Sequence, residues 1–151
     1  MVEEGQQAPD FTLQSDAGEQ VSLSQFRGTP VVLYFYPADD TPGCTAQACG
    51  FRDDWEAYQE RGAVILGVSP DDVDSHVSFK DKYALPFTLL ADPDHQVAEE
   101  YGAWGEKNLY GNTVIGLIRT TFVIDENGVV AKAIRGVKAP DHSQKVLAAL
   151  E

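Results

Sequence analysis

A run of six apolar residues, followed almost at once by a helix-initiating sequence, constrains the fold of this chain most strongly. The run Val31–Tyr36 is rich in β-branched and aromatic residues, as in a strand buried on both faces. After a short connection, Thr41-Pro42-Gly43-Cys44 is typical of a helix start, because threonine suits the N-cap and proline suits the first helical position. A buried strand that leads into a helix predicts a β-α-β unit with parallel strands.

The rest of the chain continues this alternation of strands and helices. We expect an N-terminal β-hairpin over 11–23, a short helical turn over 24–28, further strands over 63–68, 87–91, 120–125 and 129–135, helices over 41–61, 72–83, 95–101 and 141–150, and an ordered loop over 103–116. These elements predict an α/β fold in three layers, with a mixed central sheet flanked by helices. The chain of 151 residues has no linker or internal repeat, so we interpret residues 1–151 as a single domain.

The charge balance disfavours two classes of partner. Eleven Lys and Arg residues against 24 Asp and Glu residues give a formal net charge of −13. Such a surface repels nucleic acid and anionic membranes, so we expect neither as a partner. No apolar run is long enough to span a bilayer, and Met1-Val2-Glu3-Glu4 lacks the features of a signal peptide. We therefore expect a cytoplasmic protein.

The chain has only two cysteines, Cys44 and Cys49. Such a pair indicates redox chemistry, half of a metal site, or ordinary packing residues. The three histidines are scattered, without the pairing that zinc sites show, so we expect no metal. The aspartate pairs at 39/40, 53/54 and 71/72 are expected in solvated turns and helix caps rather than as metal ligands.

Cys44 lies where a thiolate would be stabilised. With Thr41 as the N-cap, Cys44 is the third helical residue, facing free backbone N–H groups and the positive end of the helix dipole. The thiolate is the reactive form of cysteine, and an anion is favoured at such a position. Gly43 leaves room beside the sulfur for a small substrate. The competing interpretation is a capped helix start that carries a small buried residue.

The spacing of the two cysteines prevents a disulfide within an intact helix. Five residues along an ideal helix place the Cα atoms about 8.7 Å apart. A disulfide needs them within about 7 Å. Either Cys49 is a packing residue, or the first turns of the helix unwind during function.

These residues together resemble the peroxiredoxin signature Pro-x-x-x-Thr-x-x-Cys, here Pro37, Thr41 and Cys44. The longer run 35–49 is similar to the peroxiredoxin-Q subfamily, also called bacterioferritin comigratory protein. Further similarity extends along nearly the whole chain, in Ala8-Pro9-Asp10-Phe11, Tyr101-Gly102-Ala103-Trp104-Gly105-Glu106-Lys107 and Ile118-Arg119-Thr120-Thr121-Phe122.

The resemblance implies a thioredoxin-like fold and a thiol-dependent reduction of hydrogen peroxide and organic hydroperoxides. Cys44 matches the peroxidatic cysteine and Cys49 the resolving cysteine, which form an intrachain disulfide in this scheme. Pro37, Thr41 and Arg119 match the rest of the peroxide site. Thioredoxin or a similar dithiol is the implied reductant, and no metal, haem or flavin cofactor is implied.

Two other functions remain open from the residues. A disulfide oxidoreductase of the thioredoxin type uses Cys-x-x-Cys, which this chain lacks. A non-enzymatic peroxide sensor would begin from the same oxidation of Cys44. Trp104, in the expected loop, is either a core residue or a border of the active site. We expect a monomer because no exposed apolar stripe is evident.

Overall fold

The buried run after Pro30 forms the central strand of a seven-stranded sheet. The structure, a computed structural model, describes residues 2–109, 111–136 and 142–150. The strands are β1 (Thr12–Ser15), β2 (Gln20–Ser22), β3 (Val31–Phe35), β4 (Val64–Ser69), β5 (Thr88–Ala91), β6 (Trp104–Leu109), β7 (Asn112–Leu117), β8 (Thr120–Ile124) and β9 (Val130–Arg135). The helices are α1 (Pro42–Asp53), α2 (Trp55–Glu60), α3 (Val73–Tyr83), α4 (Gln96–Glu100) and α5 (His142–Ala149), with a 3-10 helix at Leu23–Phe26.

The large sheet is mixed, as expected. Its strand order is β2-β1-β5-β4-β3-β8-β9. Strand β4 is parallel to both β3 and β5, whereas β8 is antiparallel to β3 and β1 is antiparallel to β5. The carboxyl ends of β3, β4 and β5 therefore share one edge with the start of β8.

Strand β3 is buried on both faces, and its alternate residues supply two cores. Val31, Leu33 and Phe35 pack in the core that α4 covers, and Val32 and Tyr34 pack in the core on the other face. This second core receives buried side chains of α1, α2, α3 and α5, namely Cys44, Ala48, Phe51, Tyr58, Phe79, Val146 and Leu147. The predicted arrangement of three layers with a mixed sheet is confirmed.

Two of the element predictions are wrong. The single helix expected over 41–61 is broken into α1 and α2 at Asp54, which leaves helical geometry and accepts hydrogen bonds from Ser143 and Gln144. The loop expected over 103–116 is a β-hairpin in which β6 and β7 pair antiparallel. Trp104 lies opposite Leu117, and Leu109 lies opposite Asn112. Its turn contains Gly111 at φ 81°, a conformation that favours glycine.

The remaining element predictions are confirmed within one or two residues where the structure describes the chain. The expected first residue of the last helix, Asp141, lies outside the described residues, as does Tyr110 of the expected loop. Within the described part of the chain, no helix is long and apolar enough to cross a membrane.

Candidate active site

The site lies at the sheet edge where β3 ends and β8 begins. The antiparallel register pairs Phe35 at the end of β3 with Thr120 at the start of β8. Arg119, the residue before Thr120, therefore emerges beside the connection that leads from β3 into α1. Loops at the carboxyl ends of parallel strands are the usual ligand sites of open α/β sheets.

Cys44 lies in the first turn of α1, as the sequence predicts. Thr41 is the N-cap with extended backbone, Pro42 is the first helical residue, and Cys44 is the third. The Cys44 side chain is buried, with 1% of the residue exposed, while Pro42 and Gly43 are exposed. The Thr41 hydroxyl donates a hydrogen bond of 2.8 Å to the Ala38 carbonyl oxygen and so closes the turn before the helix.

The structure brings Arg119 to Cys44 across 75 residues of sequence. Arg119 Nη2 lies 3.1 Å from Cys44 Sγ, close enough to donate a hydrogen bond to it. The guanidinium carries a positive charge that favours a thiolate at this distance. A Cβ atom on Gly43 would lie 3.1 Å from Arg119 Nη2, so glycine at this position leaves room for the contact.

Gln47 is part of this site, although sequence reasoning missed it. Its Oε1 accepts a 2.7 Å hydrogen bond from Arg119 Nη1, so the guanidinium is held between Gln47 and Cys44. Gln47 is 3% exposed, and its Nε2 is without a hydrogen-bond partner among the described residues. The spacing was the available signal, because residues three apart share a helix face and Gln47 follows Cys44 by three.

The connection from β3 to α1 is tied to α3 and to the end of β4. Asp40, with φ 55°, accepts hydrogen bonds from Lys82 Nζ and from the Tyr83 hydroxyl, both at 2.7 Å. These contacts lower the pKa of Asp40. The backbone N–H of Asp39 donates to Asp71 Oδ2 at 2.7 Å. Pro37, half-buried, lies in the same connection.

Asp39 corrects the expectation that the aspartate pairs are solvated. Its side chain is only 3% exposed and accepts hydrogen bonds from the Tyr36 hydroxyl, Ser75 Oγ and His76 Nδ1. Asp72, in contrast, caps α3 by accepting from the Ser75 backbone N–H, as expected. The sequence pattern does not distinguish these aspartates, since only tertiary packing covers the first of them.

Cys49 lies on the same helix as Cys44 and is half-buried, and both cysteines are free thiols. The ring of Tyr34 packs against Phe51 of α1, and the Tyr34 hydroxyl is buried without a hydrogen-bond partner within the described residues. Burial, reinforced by the neighbouring thiols, raises the pKa of Tyr34 well above its usual value. The phenol therefore stays neutral beside the helix that carries both thiols.

Trp104 belongs to the core on the opposite face of the sheet from Cys44. Its ring packs against that core and stacks on His95 with ring centroids 3.7 Å apart. Of the two alternatives, packing is the role that these contacts support. Among the described residues, no group of three or more His, Cys, Asp or Glu side chains is arranged to hold a metal ion.

Comparison with known proteins adds the family to this geometry. The AhpC/TSA family model matches residues 4–133. The chain belongs to this family. It is 48% identical over 150 residues to Peroxiredoxin Bcp of Bacillus subtilis, a match that covers 99% of this chain and 96% of the relative. The resemblance to the peroxiredoxins is thereby confirmed, and the protein is a thiol-dependent peroxidase.

Solved structures agree with the fold. Peroxiredoxin Q of Xanthomonas campestris superposes with a TM-score of 0.88 at 40% identity, covering 93% of this chain and 89% of that one. A second structure, described as a trapped intermediate/ligand complex bearing on the alkyl peroxide reduction activity of the Xanthomonas campestris bacterioferritin comigratory protein, has 39% identity and the same TM-score and coverage. The expected thioredoxin-like peroxiredoxin fold is confirmed.

Proposed function

We propose that this peroxiredoxin reduces hydrogen peroxide and organic hydroperoxides with Cys44 as the peroxidatic residue. The observation that carries the proposal is the 3.1 Å contact between Arg119 Nη2 and Cys44 Sγ at the first turn of α1. A cation and a helix N-terminus together favour the thiolate at one buried position. The peroxide-reducing activity described for the Xanthomonas relative supports the same substrate class.

The first step is a displacement at oxygen. The Cys44 thiolate attacks one oxygen of ROOH, the O–O bond breaks, and sulfenic acid forms at the sulfur. The leaving oxygen departs as alkoxide or hydroxide and takes up a proton to give alcohol or water. Two electrons pass from sulfur to the peroxide, so the step needs no metal, haem or flavin.

The neighbouring residues have separate roles in this step. Arg119 stabilises the thiolate and orients the peroxide through its remaining N–H groups. Thr41, whose hydroxyl donates to the Ala38 carbonyl, presents its oxygen as an acceptor for a peroxide proton. Pro37 shields the pocket from water at the start of the connection. These roles follow the family signature and agree with the positions of the residues.

Cys49 is proposed as the resolving cysteine. Its thiol condenses with the sulfenic acid of Cys44, a disulfide forms, and one water is released. Because both residues lie in α1, the helix must unwind between them before the sulfurs meet. An external dithiol then reduces the disulfide by exchange and restores both thiols.

A thiol reductant follows from the family, and we propose thioredoxin or a similar dithiol protein in that role. We further propose a single domain over 1–151 that acts as a monomer in the cytoplasm, where dithiol reductants keep cysteines reduced. The net charge of −13 supports the absence of nucleic-acid and membrane partners. In the described part of the chain, the large apolar side chains that are exposed are those of Val77 and Ile115, which lie on different elements, α3 and β7.

Replacing the nucleophile is the direct test. In an assay with excess thioredoxin, thioredoxin reductase and NADPH, Cys44→Ser should lose peroxide consumption entirely, because Cys44 is the thiol in the first turn of α1 that Arg119 contacts. Turnover in Cys44→Ser would contradict the assignment. Wild-type consumption that stops after one equivalent, despite active reductase, would instead indicate a peroxide sensor.

A further inference from the structure

A buried polar network lies behind the connection between β3 and α1 and is absent from the mechanism above. Its centre is the pair Asp39 and His76, whose side chains are 3% and 0% exposed. His76 Nδ1 lies 2.7 Å from Asp39 Oδ2, and its Nε2 lies 2.9 Å from the Leu90 carbonyl oxygen. The Tyr36 hydroxyl donates to Asp39 Oδ1, and Ser75 Oγ donates to Oδ2.

The hydrogen bonds of the ring and the direction of its pKa shift together indicate the protonation state of His76. A backbone carbonyl only accepts hydrogen bonds, so Nε2 must carry a hydrogen to bond Leu90. Nδ1 shares one hydrogen with Asp39 Oδ2, which already receives the Ser75 hydroxyl, and the raised pKa of His76 places that hydrogen on the ring. A histidine with hydrogens on both nitrogens is an imidazolium. The network is therefore a buried ion pair.

The surroundings of the ring agree with this charge. Burial disfavours the imidazolium, but the hydrogen bond and charge of Asp39, helped by Leu90 and Asp71, raise the pKa of His76 above its usual 6.5. Among the described residues, the titratable groups that face the ring are Asp39, Asp71 and the Tyr36 phenol, from the connection after β3 and the end of β4. Burial raises the pKa of Tyr36, which therefore stays neutral.

The pair joins the active-site connection to the rest of the sheet edge. Asp39 is two residues after Pro37 and two before Thr41, while His76 lies in α3 and bonds β5. We propose that His76, in its protonated form, is a positioning residue for peroxide reduction, because it holds residues 37–41 in place through Asp39. This inference rests on the proposed function, in which Pro37 and Thr41 line the peroxide pocket.

We expect the rate of peroxide reduction to decline at alkaline pH. The ion pair is fully formed below pH 6.5 and is lost as pH rises through the raised pKa of folded His76. A neutral ring keeps only one hydrogen, so either Asp39 or the Leu90 carbonyl oxygen then faces a bare ring nitrogen, and the attachment of the connection to β5 through His76 is broken. Peroxide reactivity should then fall.

Two matched variants separate the contacts of the ring. His76→Asn keeps an amide N–H near the Nδ1 position and does not titrate, whereas His76→Gln keeps one near the Nε2 position and loses the donor to Asp39. We would measure single-turnover oxidation of Cys44 by hydrogen peroxide from pH 6 to 10, with iodoacetamide alkylation of Cys44 in parallel. His95→Asn is the control, because it removes a histidine that stacks on Trp104.

We expect His76→Gln to be slowed about tenfold toward peroxide at pH 7, the effect of losing one charged hydrogen bond, with alkylation unchanged. His76→Asn should lose the alkaline decline that wild type and His95→Asn share. A wild-type rate and pH profile in His76→Gln would overturn the proposal, as would an equal loss of alkylation. Circular dichroism verifies that each variant folds.

A measurement on the unaltered protein keeps the proposal testable if the variants do not fold. Nitrogen-15 NMR of the histidine rings at pH 7 should find hydrogens on both nitrogens of His76. A ring with one hydrogen would overturn the proposal. If wild type consumes peroxide without oxidising Cys44, the proposed function itself fails. If Cys44 is oxidised and His76→Gln matches wild type, only the positioning role fails.

Discussion

The two ends of α1 are held in different ways. At the first turn, Pro42 and Gly43 are exposed, and the buried Cys44 is bonded to Arg119. At the last turn, Phe51 is fully buried among the rings of Tyr34, Tyr58, Phe87 and His142. The first end combines exposed residues with the buried Cys44 and its contact to Arg119, whereas the last end is anchored by a large ring in a packed aromatic core.

The break after α1 strengthens its last turn further. Asp54 Oδ2 accepts hydrogen bonds from Ser143 Oγ at 2.7 Å and from Gln144 Nε2 at 3.0 Å, which tie the α1–α2 junction to α5. The Tyr58 hydroxyl also contacts Ser143 at 2.9 Å. We therefore expect the helix to open from the cysteine end while Phe51 stays in the core. The unwinding proposed between the two cysteines should therefore stop before Phe51.

Removing the second thiol has the largest expected effect. Cys49→Ser should use one equivalent of peroxide to form the Cys44 sulfenic acid, which has no partner thiol, and a second equivalent to oxidise it to sulfinic acid, and should then stop. Mass spectrometry of Cys44 after peroxide addition detects the product. Sustained turnover with thioredoxin in this variant would mean that Cys49 is not the resolving residue.

Hydrogen exchange tests the same opening without a mutation. Oxidation should remove protection from the amides between Thr45 and Cys49, since unwinding breaks a few hydrogen bonds of about 1 kcal/mol each. The amide of Tyr58, bonded to the Asp54 carbonyl oxygen in α2, should keep its protection and acts as the internal control. Equal protection of residues 45–49 in both redox states would contradict the unwinding.

Truncating the buried ring should remove the difference between the two ends. Phe51→Ala is expected to lower the free energy of unfolding by about 3–5 kcal/mol, through lost burial and a cavity. Urea unfolding measures the loss. Ala46→Gly, on the exposed side of the first turns, is the control and should cost about 1 kcal/mol. Similar losses in the two variants would contradict the anchoring role of Phe51.

Acid should lower the stability of the packing around the last turn of α1. His142 is buried against Phe51, and its Nε2 bonds Thr121 Oγ1 at 2.8 Å. Burial, with the charges of Arg119 and Lys145, lowers the pKa of His142 from 6.5 to about 4. Stability from the neutral ring is present above pH 6.5 and is lost as pH falls toward 4, by about 3 kcal/mol at most.

The comparison of unfolding free energies at pH 7 and pH 4.5 checks this effect. His142→Gln keeps an N–H near the Nε2 position but does not titrate in this range. It should therefore lose less stability on acidification than wild type does. A pH dependence identical to that of wild type would show that His142 is protonated equally in the folded and unfolded chains.

The smallest expected effect concerns the first turn of α1. Arg119→Met removes the cation 3.1 Å from Cys44 Sγ and should lower the rate of iodoacetamide alkylation at pH 7 about tenfold, which equals about 1.4 kcal/mol. Arg52→Met, which removes a partly exposed cation that pairs with Asp53, is the control. An unchanged alkylation rate in Arg119→Met would mean that the guanidinium does not favour the thiolate.

The sequence by itself determined the strand, the helix start and the candidate nucleophile. These features depend on consecutive residues: the apolar run before Pro37, the cap at Thr41 and the third helical position of Cys44. Local backbone preferences act over a few residues, so they can be deduced from the printed chain. The prediction of a loop over 103–116 was wrong because the hairpin there depends on pairing between two strands. The segment has little of the apolar alternation that would indicate strands.

The tertiary structure decided everything that joins distant segments. Arg119 meets Cys44 only because β8 pairs antiparallel to β3 with Thr120 opposite Phe35. Asp39 is buried only because α3 brings His76 over it. Likewise, the core around Phe51 decides which end of α1 can open. Burial and pairing depend on strand order and register, which arise from packing of the whole chain rather than from any short segment of it.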